Sequence, residues 1–329
     1  METVIIFSII MGFSCALVVA KYGLQLGFTD VPNDRSAHTR IIPRSGGIGI
    51  PVAVILVVWI WTGRLVPVGV IAGLALLLSI FSLIDDRKGL SVTIRFLTQF
   101  SLAVVIVWIF KGEFLQLVEN EWGLVFVIGA VMVGAVFITA TTNFFNFMDG
   151  INGIAGFMSL ISFGLIGFYA IYIKEAPAVP VLCYAVFFST LGYLPVNFPR
   201  ARVFMGDVGS IFIGNLFAAV VVWQAGSIKE FILLLSFQGT LYIDCISTIC
   251  LRFSKGENVL QAHNKHLYQR FVHQFKWSHT RTTLVYSLFQ LLMGVVGLLL
   301  FKYSVIYLII LWVSMFLFYW LIRFRLKLT

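Results

Sequence analysis

Charged side chains are scarce in this sequence. Asp, Glu, Lys and Arg make up 11% of its 329 residues and hydrophobic residues make up 60%, whereas a soluble domain is about 25% charged. No polar stretch approaches the length of an ordinary soluble domain. This composition excludes the soluble globular and the disordered classes, and it predicts an integral membrane protein.

Cysteine is also rare, with four in the whole chain and no Cys-x-x-Cys pair. All of them fall in apolar runs, where a thiol usually packs as a small hydrophobic group. A disulfide scaffold and a cysteine zinc site are therefore excluded. We also find no internal repeat. We assign no function to the cysteines, which are Cys15, Cys183, Cys245 and Cys250.

Long apolar runs predict an all-α integral membrane protein with about eleven transmembrane helices, since a crossing needs roughly 20 residues. The first run is predicted to be a retained helix, because it lacks a preceding basic residue and a clear signal-peptide cleavage site. We treat residues 1–329 as one polytopic domain with cytoplasmic active-site loops. The predicted spans are 3–22, 46–62 (short for a crossing), 66–84, 94–110, 122–141, 154–173, 178–195, 209–226, 230–252, 283–301 and 303–322.

The basic residues are distributed unevenly between the two sides of the predicted bundle. Eighteen of the 23 Lys and Arg residues lie on the side of the C-terminus. The remaining five are Arg64, Lys111, Lys174, Lys229 and Lys302. The positive-inside rule makes the richer side cytoplasmic, so the N-terminus is predicted outside and the C-terminus inside. Topology and attraction to anionic lipid or ligand account for the net charge of +9, so no nucleic-acid partner is predicted.

The most informative polar segment is 143–153, between two membrane-length apolar runs. Unpaired polar groups at a bilayer are costly, so such a cluster predicts a built site. Its polar positions recur every three residues: Asn143, Asn146, Asp149 and Asn152. Neighbouring pairs can share a helix face and hold a divalent cation or a polar ligand. Gly150 and Gly153 would let backbone approach closely.

A pair of adjacent carboxylates, Asp85-Asp86, ends the third span. Adjacent carboxylates repel each other, so near a low-dielectric region they need a cation or a shared proton. The alternative is a solvated pair at a helix end, beside Arg87 and Lys88. The pair alone does not decide between these two interpretations.

Asp207 lies in a short loop, residues 203–210, before the eighth span. One interpretation is a helix N-cap, which favours Asp at the positive end of the helix dipole. The other is a catalytic or metal-binding carboxylate. The acidic loops all fall on one predicted face of the membrane, and this co-location favours a shared site.

Two basic loops lie on the same predicted face. His263, Lys265, His266 and Arg270 offer donors for phosphate oxygens. Zinc is less favoured there because a second pair of ligands is missing, and contact with lipid headgroups is the structural alternative. In the first loop, residues 30–47, Arg44 and its neighbours fit phosphate binding or ordinary positive-inside charge.

Asp244 is predicted in the middle of the ninth span. An intramembrane carboxylate is a functional hypothesis by default. We favour a role as a hydrogen-bonding group that orients the loop carrying His263 and His266, just after this helix. We call this loop the histidine loop. A direct role in catalysis is the alternative.

Taken in order along the chain, these segments resemble the polyprenyl-phosphate N-acetylhexosamine-1-phosphate transferases, of the glycosyltransferase family 4 type. The resemblance covers nearly the whole chain, and the run His263–Arg270 is most similar to the bacterial O-antigen-initiating branch. It implies transfer of sugar 1-phosphate from a UDP-N-acetylhexosamine to undecaprenyl phosphate, with release of UMP, to start cell-envelope polysaccharide assembly. It also implies a multi-pass protein of the bacterial cytoplasmic (inner) membrane, with a homodimer as an expectation.

The resemblance also implies roles for individual residues. Asp207 and Asn146 would bind Mg²⁺, with Mn²⁺ as an alternative cation. Asp85, Asp86, His263 and His266 are the catalytic candidates, the aspartates near the acceptor phosphate and the histidines facing the diphosphate or sugar. For the substrates, Asn152 would recognise uridine and Phe204 would stack on uracil. The other substrate-binding candidates are Asn143, Asp149, Lys265, Arg270 and Arg44.

One position departs from the family pattern. Thr93 stands where relatives commonly carry a basic residue, and Arg95 or Lys88 would supply that charge instead.

Two other functions stay open at this point. A nucleotide-sugar or lipid-phosphate transporter would also use polar residues in many spans, although no repeat is evident here. An intramembrane aspartyl protease would use Asp207 and Asp244, but the Gly-x-Gly-Asp pattern is absent.

Overall fold

The computed structural model describes residues 1–32, 40–61, 66–110, 123–259, 261 and 263–327, without the side chains of residues 61, 66 and 86–88. The described chain is almost entirely helical. Its helices are α1 (Glu2–Tyr22), α2 (Gly49–Trp61), α3 (Val66–Lys88), α4 (Val92–Ile109), α5 (Gly123–Met148), α6 (Ile154–Tyr172), α7 (Val179–Asn197), α8 (Asp207–Gln224), α9 (Ile228–Ser236), α10 (Gly239–Ser254), α11 (Leu267–His273), α12 (His279–Leu300) and α13 (Val305–Arg325). A 3₁₀ turn, Gly46–Ile48, precedes α2, and two short antiparallel strands, β1 (Thr29–Asp30) and β2 (Ile42–Pro43), lie in the first loop.

Nine of the described helices are long and apolar enough to cross a membrane. They are α1, α3, α4, α5, α6, α7, α8, α12 and α13. The predicted all-α fold is confirmed, and the chain is a multi-pass membrane protein. The number eleven stays a prediction, because α2 has only 13 residues and the predicted ninth span is divided between two helices.

The predicted ninth span, 230–252, is not one straight helix. It consists of α9 and α10, which meet at an angle of 90°. Gly239 begins α10 and packs against the Met293 side chain of α12, where a larger residue would collide. The absence of a side chain at Gly239 therefore lets α12 pack closely against the start of α10. The polar residues Asp244, Ser247 and Thr248 of α10 are buried in the protein.

Helix α8 is the centre of the bundle. In its membrane-length window 89% of the residues are buried, compared with 11% in α13 and 22% in α4. Gly214 lets α8 approach the backbone of Thr142 in α5. This packing fixes the first turn of α8 next to the last turn of α5, and both turns carry residues of the predicted site.

Candidate active site

The two predicted cation ligands, Asn146 and Asp207, are in direct contact. Asn146 Nδ2 donates to Asp207 Oδ1 at 2.9 Å and to Ser210 Oγ at 2.9 Å. Gly206 is the capping residue of α8, and the cap has no side-chain hydrogen bond. The N-cap interpretation of Asp207 is therefore wrong. Its carboxylate instead joins α8 to the end of α5.

The oxygen atoms that this pair offers can be compared with the ligands that a divalent cation prefers. A carboxylate and an amide supply oxygen ligands, and Mg²⁺ typically takes one or two carboxylates, with waters and substrate phosphates completing its shell. Within the described residues no group of three or more His, Cys, Asp or Glu side chains is close enough to hold a metal. Asp207 and Asn146 thus fit Mg²⁺ bound jointly with a diphosphate, and they do not fit a protein-only zinc site.

Asp149 adds a further carboxyl group near this pair. Burial raises the pKa of Asp149 well above its usual value, and the negative charges of Asp207 and Asp30 raise it further. The backbone N–H of Asp149 donates to Asn146 O at 3.1 Å. The site is therefore short of positive charge around Asp149, which favours the binding of a cation or the retention of a proton there.

Asp85 lies at the end of α3 and is nearly buried, with 8% exposure. Its Oδ1 accepts from Leu90 N at 2.7 Å, and its Oδ2 lies 3.4 Å from Arg95 Nη1. Arg95 thus stands beside the first aspartate, as expected for a substitute for the missing basic residue at Thr93. Both Asp85 and Arg95 act electrostatically on Asp207, so the two acidic motifs share one site. The Asp86 and Lys88 side chains lie outside the described residues.

Both glycines of the 143–153 segment are closely approached by side chains of the protein, and the approach of their backbone to a ligand stays a prediction. Gly150 leaves room for the hydroxyl of Tyr268, which donates to Phe147 O at 2.7 Å. Gly153 has φ +81°, and a Cβ there would lie 2.5 Å from the ring of Phe198. The Gly150 contact joins the histidine loop to the end of α5.

We expect Gly150→Ala to lower the predicted transferase activity about tenfold or more, because the added methyl group displaces the Tyr268 hydroxyl and costs its hydrogen bond. The measurement is kcat and KM of the purified variant. Gly129→Ala is the matched control, since a Cβ at Gly129 meets no atom within 4 Å. Equal activity of the two variants would contradict a functional role for this contact.

Asn152 and its neighbours tie three more segments together. Asn152 Nδ2 donates to Pro199 O at 3.1 Å, and Asn152 N donates to His279 Nδ1 at 3.4 Å. Asn197 accepts from Gly153 N at 2.6 Å and donates to Val203 O at 2.9 Å. These hydrogen bonds hold Asn152 on the same side of the protein as the loop of residues 203–206.

Phe204 and Arg44 are brought to the site by main-chain pairing between two loops. Phe204 N donates to Pro43 O at 2.9 Å, and Phe204 O accepts from Gly46 N at 2.8 Å. The half-buried Phe204 ring lies three residues before Asp207, and Arg44 acts electrostatically on Asp207. The charge of Arg44 therefore reaches Asp207, and Phe204 lies in the loop that leads into Asp207.

Asn143 lies about one helical turn before Asn146 in α5. Its Nδ2 donates to Gln99 Oε1 at 2.5 Å and to Thr139 O at 2.8 Å. The amide N–H₂ group is therefore used within the protein and joins α5 to α4.

The histidine loop presents two rings side by side, with 4.8 Å between the ring centres of His263 and His266. His263 Nδ1 accepts from Lys265 N at 3.1 Å, so a neutral His263 carries its proton on Nε2. Burial, together with the nearby charges of His266, Arg252 and Lys265, lowers the pKa of His263 to about 4. At neutral pH His263 is therefore an uncharged N–H donor.

The other two basic candidates of this loop have different surroundings. Lys265 Nζ forms an ion pair with Glu257 Oε1 at 2.5 Å. Burial lowers the pKa of Arg270, and the charge of Arg323 adds to this effect. His266 Nδ1 lies 3.1 Å from Asp244 Oδ1, so the predicted contact between Asp244 and the histidine loop is confirmed.

Sequence reasoning missed several residues that organise this region. They are Asn197, His279, Tyr286, Tyr319 and Arg323. A signal existed for Arg323 alone, because a charged residue near the end of an apolar run deserves a search for a buried partner. The last predicted span, 303–322, ends just before Arg323.

Comparison with known proteins agrees with this geometry. Residues 68–225 match the family described as glycosyl transferase family 4. The chain is 27% identical over 321 residues to a probable undecaprenyl-phosphate N-acetylglucosaminyl 1-phosphate transferase of Bacillus subtilis, covering 93% of this chain and 85% of that protein.

Two further relatives are less fully covered. An undecaprenyl-phosphate alpha-N-acetylglucosaminyl 1-phosphate transferase of Yersinia pestis is 26% identical over 221 residues, covering 65% of this chain and 60% of that protein. A decaprenyl-phosphate N-acetylglucosaminephosphotransferase of Mycolicibacterium smegmatis is 28% identical over 306 residues, covering 81% and 74%. The family match spans Asp85, Asn146 and Asp207, so all three lie in the part of the chain that is similar to glycosyl transferase family 4.

Proposed function

We propose that this protein transfers an N-acetylhexosamine 1-phosphate from a UDP-sugar to undecaprenyl phosphate, which gives undecaprenyl-diphosphate-sugar and UMP. The observation that carries the proposal is the contact between Asn146 and Asp207 beside the Asp85–Arg95 pair. Carboxylates and arginines brought together from separate loops suit a site for two phosphate substrates and a cation.

The reaction joins two anions. An oxygen of the acceptor phosphate forms a bond to the sugar-bearing phosphorus of the donor. The bond from that phosphorus to the bridging oxygen breaks, and its electron pair leaves with UMP. An ionised acceptor phosphate needs no general base, so catalysis depends on positioning and on charge neutralisation.

Bound Mg²⁺ would neutralise the diphosphate and stabilise charge on the leaving UMP. Asp207 and Asn146 would hold it. Asp85 has both carboxylate oxygens engaged, by Leu90 N and by Arg95, which favours orientation of the acceptor over proton abstraction. Asp86 is assigned to the same role from its sequence position alone.

The remaining candidates would bind the donor. Neutral His263 would donate through Nε2 to a diphosphate or sugar oxygen without adding charge. Asn152 would recognise uridine and Phe204 would stack on uracil. Positive charge around the phosphates would come from Lys265, Arg270 and Arg44. The remaining polar residues assigned to substrate binding are Asn143 and Asp149.

We assign the protein to the bacterial inner membrane, with its site on the cytoplasmic face, where UDP-sugars are available and the isoprenoid tail stays in the bilayer. The three relatives described above are named for N-acetylglucosamine, which makes UDP-GlcNAc the first donor to test. Initiation of O-antigen is our preferred pathway. An aspartyl protease is not supported, because Asp207 and Asp244 belong to separate hydrogen-bonded clusters.

The test is incubation of the purified protein with undecaprenyl phosphate, Mg²⁺ and separate UDP-sugars (GlcNAc, GalNAc, FucNAc and QuiNAc). We expect UMP release and a lipid-linked sugar diphosphate with at least one donor. Release must require both the lipid and Mg²⁺. If no donor supports release, while proteoliposomes exchange a nucleotide sugar without lipid product, the transporter alternative replaces this proposal.

A further inference from the structure

Asp244 is completely buried in α10, and groups from four helices (α10 to α13) and a loop converge on it. Its Oδ1 faces His266 Nδ1 at 3.1 Å and accepts from Leu267 N at 3.1 Å, from Tyr319 OH at 3.0 Å and from Thr248 Oγ1 at 3.2 Å. Its Oδ2 accepts from Tyr286 OH at 2.6 Å and from Tyr268 N at 3.3 Å. Five of these six neighbours are N–H or O–H donors, and with a proton on His266 Nδ1 all six donate, an arrangement that suits a carboxylate.

Arg323 in the last turn of α13 completes this arrangement with 1% exposure. Its Nε donates to Tyr319 OH at 3.0 Å, and its Nη2 donates to Thr248 Oγ1 at 2.9 Å and to Lys265 O at 3.0 Å. The Tyr319 hydroxyl thus accepts from Arg323 and donates to Asp244. We call Asp244, Thr248, Tyr286, Tyr319 and Arg323 the Asp244 cluster.

The Asp244 cluster fixes the loop that carries His266 at several points. Arg323 holds the carbonyl just before His266, and Asp244 holds the two N–H groups just after it. With a proton on Nδ1 directed at Asp244, the ring keeps its Nε2 for another partner. Both the position and the tautomer of His266 therefore depend on a cluster built partly by the last two helices.

We propose that Tyr286, Tyr319 and Arg323 are positioning residues that act on the transfer reaction through Asp244 and His266. This inference rests on the proposed function, in which His266 faces the diphosphate or sugar. A purely structural role is a poorer explanation, because well-packed apolar residues usually stabilise a buried site as well as a charged network does. The hydroxyls and the guanidinium converge on one histidine-bearing loop.

Tyr319→Phe tests the proposal with little structural disturbance. The Tyr319 ring lines an apolar cavity of about 450 Å³, and phenylalanine keeps that wall while removing only the hydroxyl. We expect kcat to fall about tenfold with little change in KM for the UDP-sugar, as for an interaction needed mainly in the transition state. Tyr307→Phe, on the exposed side of the same helix, is the matched control and should keep wild-type activity.

The decisive comparison is a double-mutant cycle with His266→Ala. If Tyr319 acts through His266, Tyr319→Phe has no further effect in the His266→Ala background. An equal tenfold loss in both backgrounds would overturn the proposal and leave a structural role. The same cycle with Tyr286→Phe provides a second variant, because its hydroxyl contacts the other oxygen of Asp244.

A spectroscopic measurement keeps the test independent of residual activity. In ¹⁵N-histidine spectra of the full chain in detergent, we expect His266 to be the Nδ1–H tautomer when neutral, and Tyr319→Phe to change its resonances. Unchanged His266 resonances would contradict the proposal. Wild-type protein that releases no UMP would instead refute the proposed function, so the two failures are distinguishable.

Discussion

Asp207→Asn is expected to lower kcat by about two decades or more at limiting Mg²⁺. The substitution keeps the size of the side chain, and an amide can still pair with Asn146, so the fold should be preserved. It removes the negative charge proposed to hold the cation between the two phosphate substrates. Loss of one principal electrostatic stabiliser typically costs about a hundredfold to a thousandfold. The measurement is UMP release as a function of Mg²⁺ concentration.

The control for Asp207→Asn is Glu175→Gln, which removes one carboxylate at an exposed position between α6 and α7. It should leave both kcat and the Mg²⁺ dependence unchanged. A cation role predicts that high Mg²⁺ partly restores the Asp207→Asn variant. Normal turnover by Asp207→Asn at limiting Mg²⁺ would refute the metal assignment, whatever the donor sugar.

Asp244→Asn is expected to cause the largest combined loss of stability and activity. Five N–H or O–H groups and His266 Nδ1 face this carboxylate, and an amide presents two donors of its own to them. His266 would lose its buried carboxylate partner, and Arg323 would lose the negative charge that it reaches through Tyr319. Leaving buried donors and charges without their partner is strongly destabilising. With His266 released from its tautomer, kcat should fall by a hundredfold or more. The measurements are unfolding in mixed micelles and kcat of the folded fraction.

Glu230→Gln separates the expected loss of stability from the expected loss of activity. Glu230 accepts from Tyr169 OH, Lys174 Nζ and Gly226 N near the end of α6 opposite the site. We expect it to lower stability while kcat of the folded protein stays normal. If Asp244→Asn behaved in the same way, Asp244 would be a structural carboxylate without influence on the reaction.

Local patterns in the chain were enough to predict the membrane class and the helical fold. Apolar runs of membrane length need no tertiary information, because the bilayer demands internal pairing of every backbone group. The motif residues were found for a related reason. Polar side chains such as Asn146 and Asp85 are costly at a membrane boundary, so their presence between apolar runs marks a site.

Pairing between distant residues could not be predicted in the same way. Asn146 and Asp207 are 61 positions apart, and they meet because Gly214 lets α8 approach α5 closely. Likewise, the sequence indicated that Arg95 was a candidate for the charge absent at Thr93, but only the fold shows that Arg95 reaches Asp85. Close packing depends on the surfaces of both helices, whereas a sequence motif describes only one of the two segments.

The sequence by itself determined that this is an all-α membrane protein of many spans and which loops carry its acidic, amide and histidine residues. The tertiary structure decided the 90° bend between α9 and α10 and the burial of Asp244 among groups from α12, α13 and the histidine loop. The physical reason is that the hydrophobicity of a segment can be judged from the sequence of that segment alone. A buried carboxylate, by contrast, is defined by donors that only the folded chain brings together.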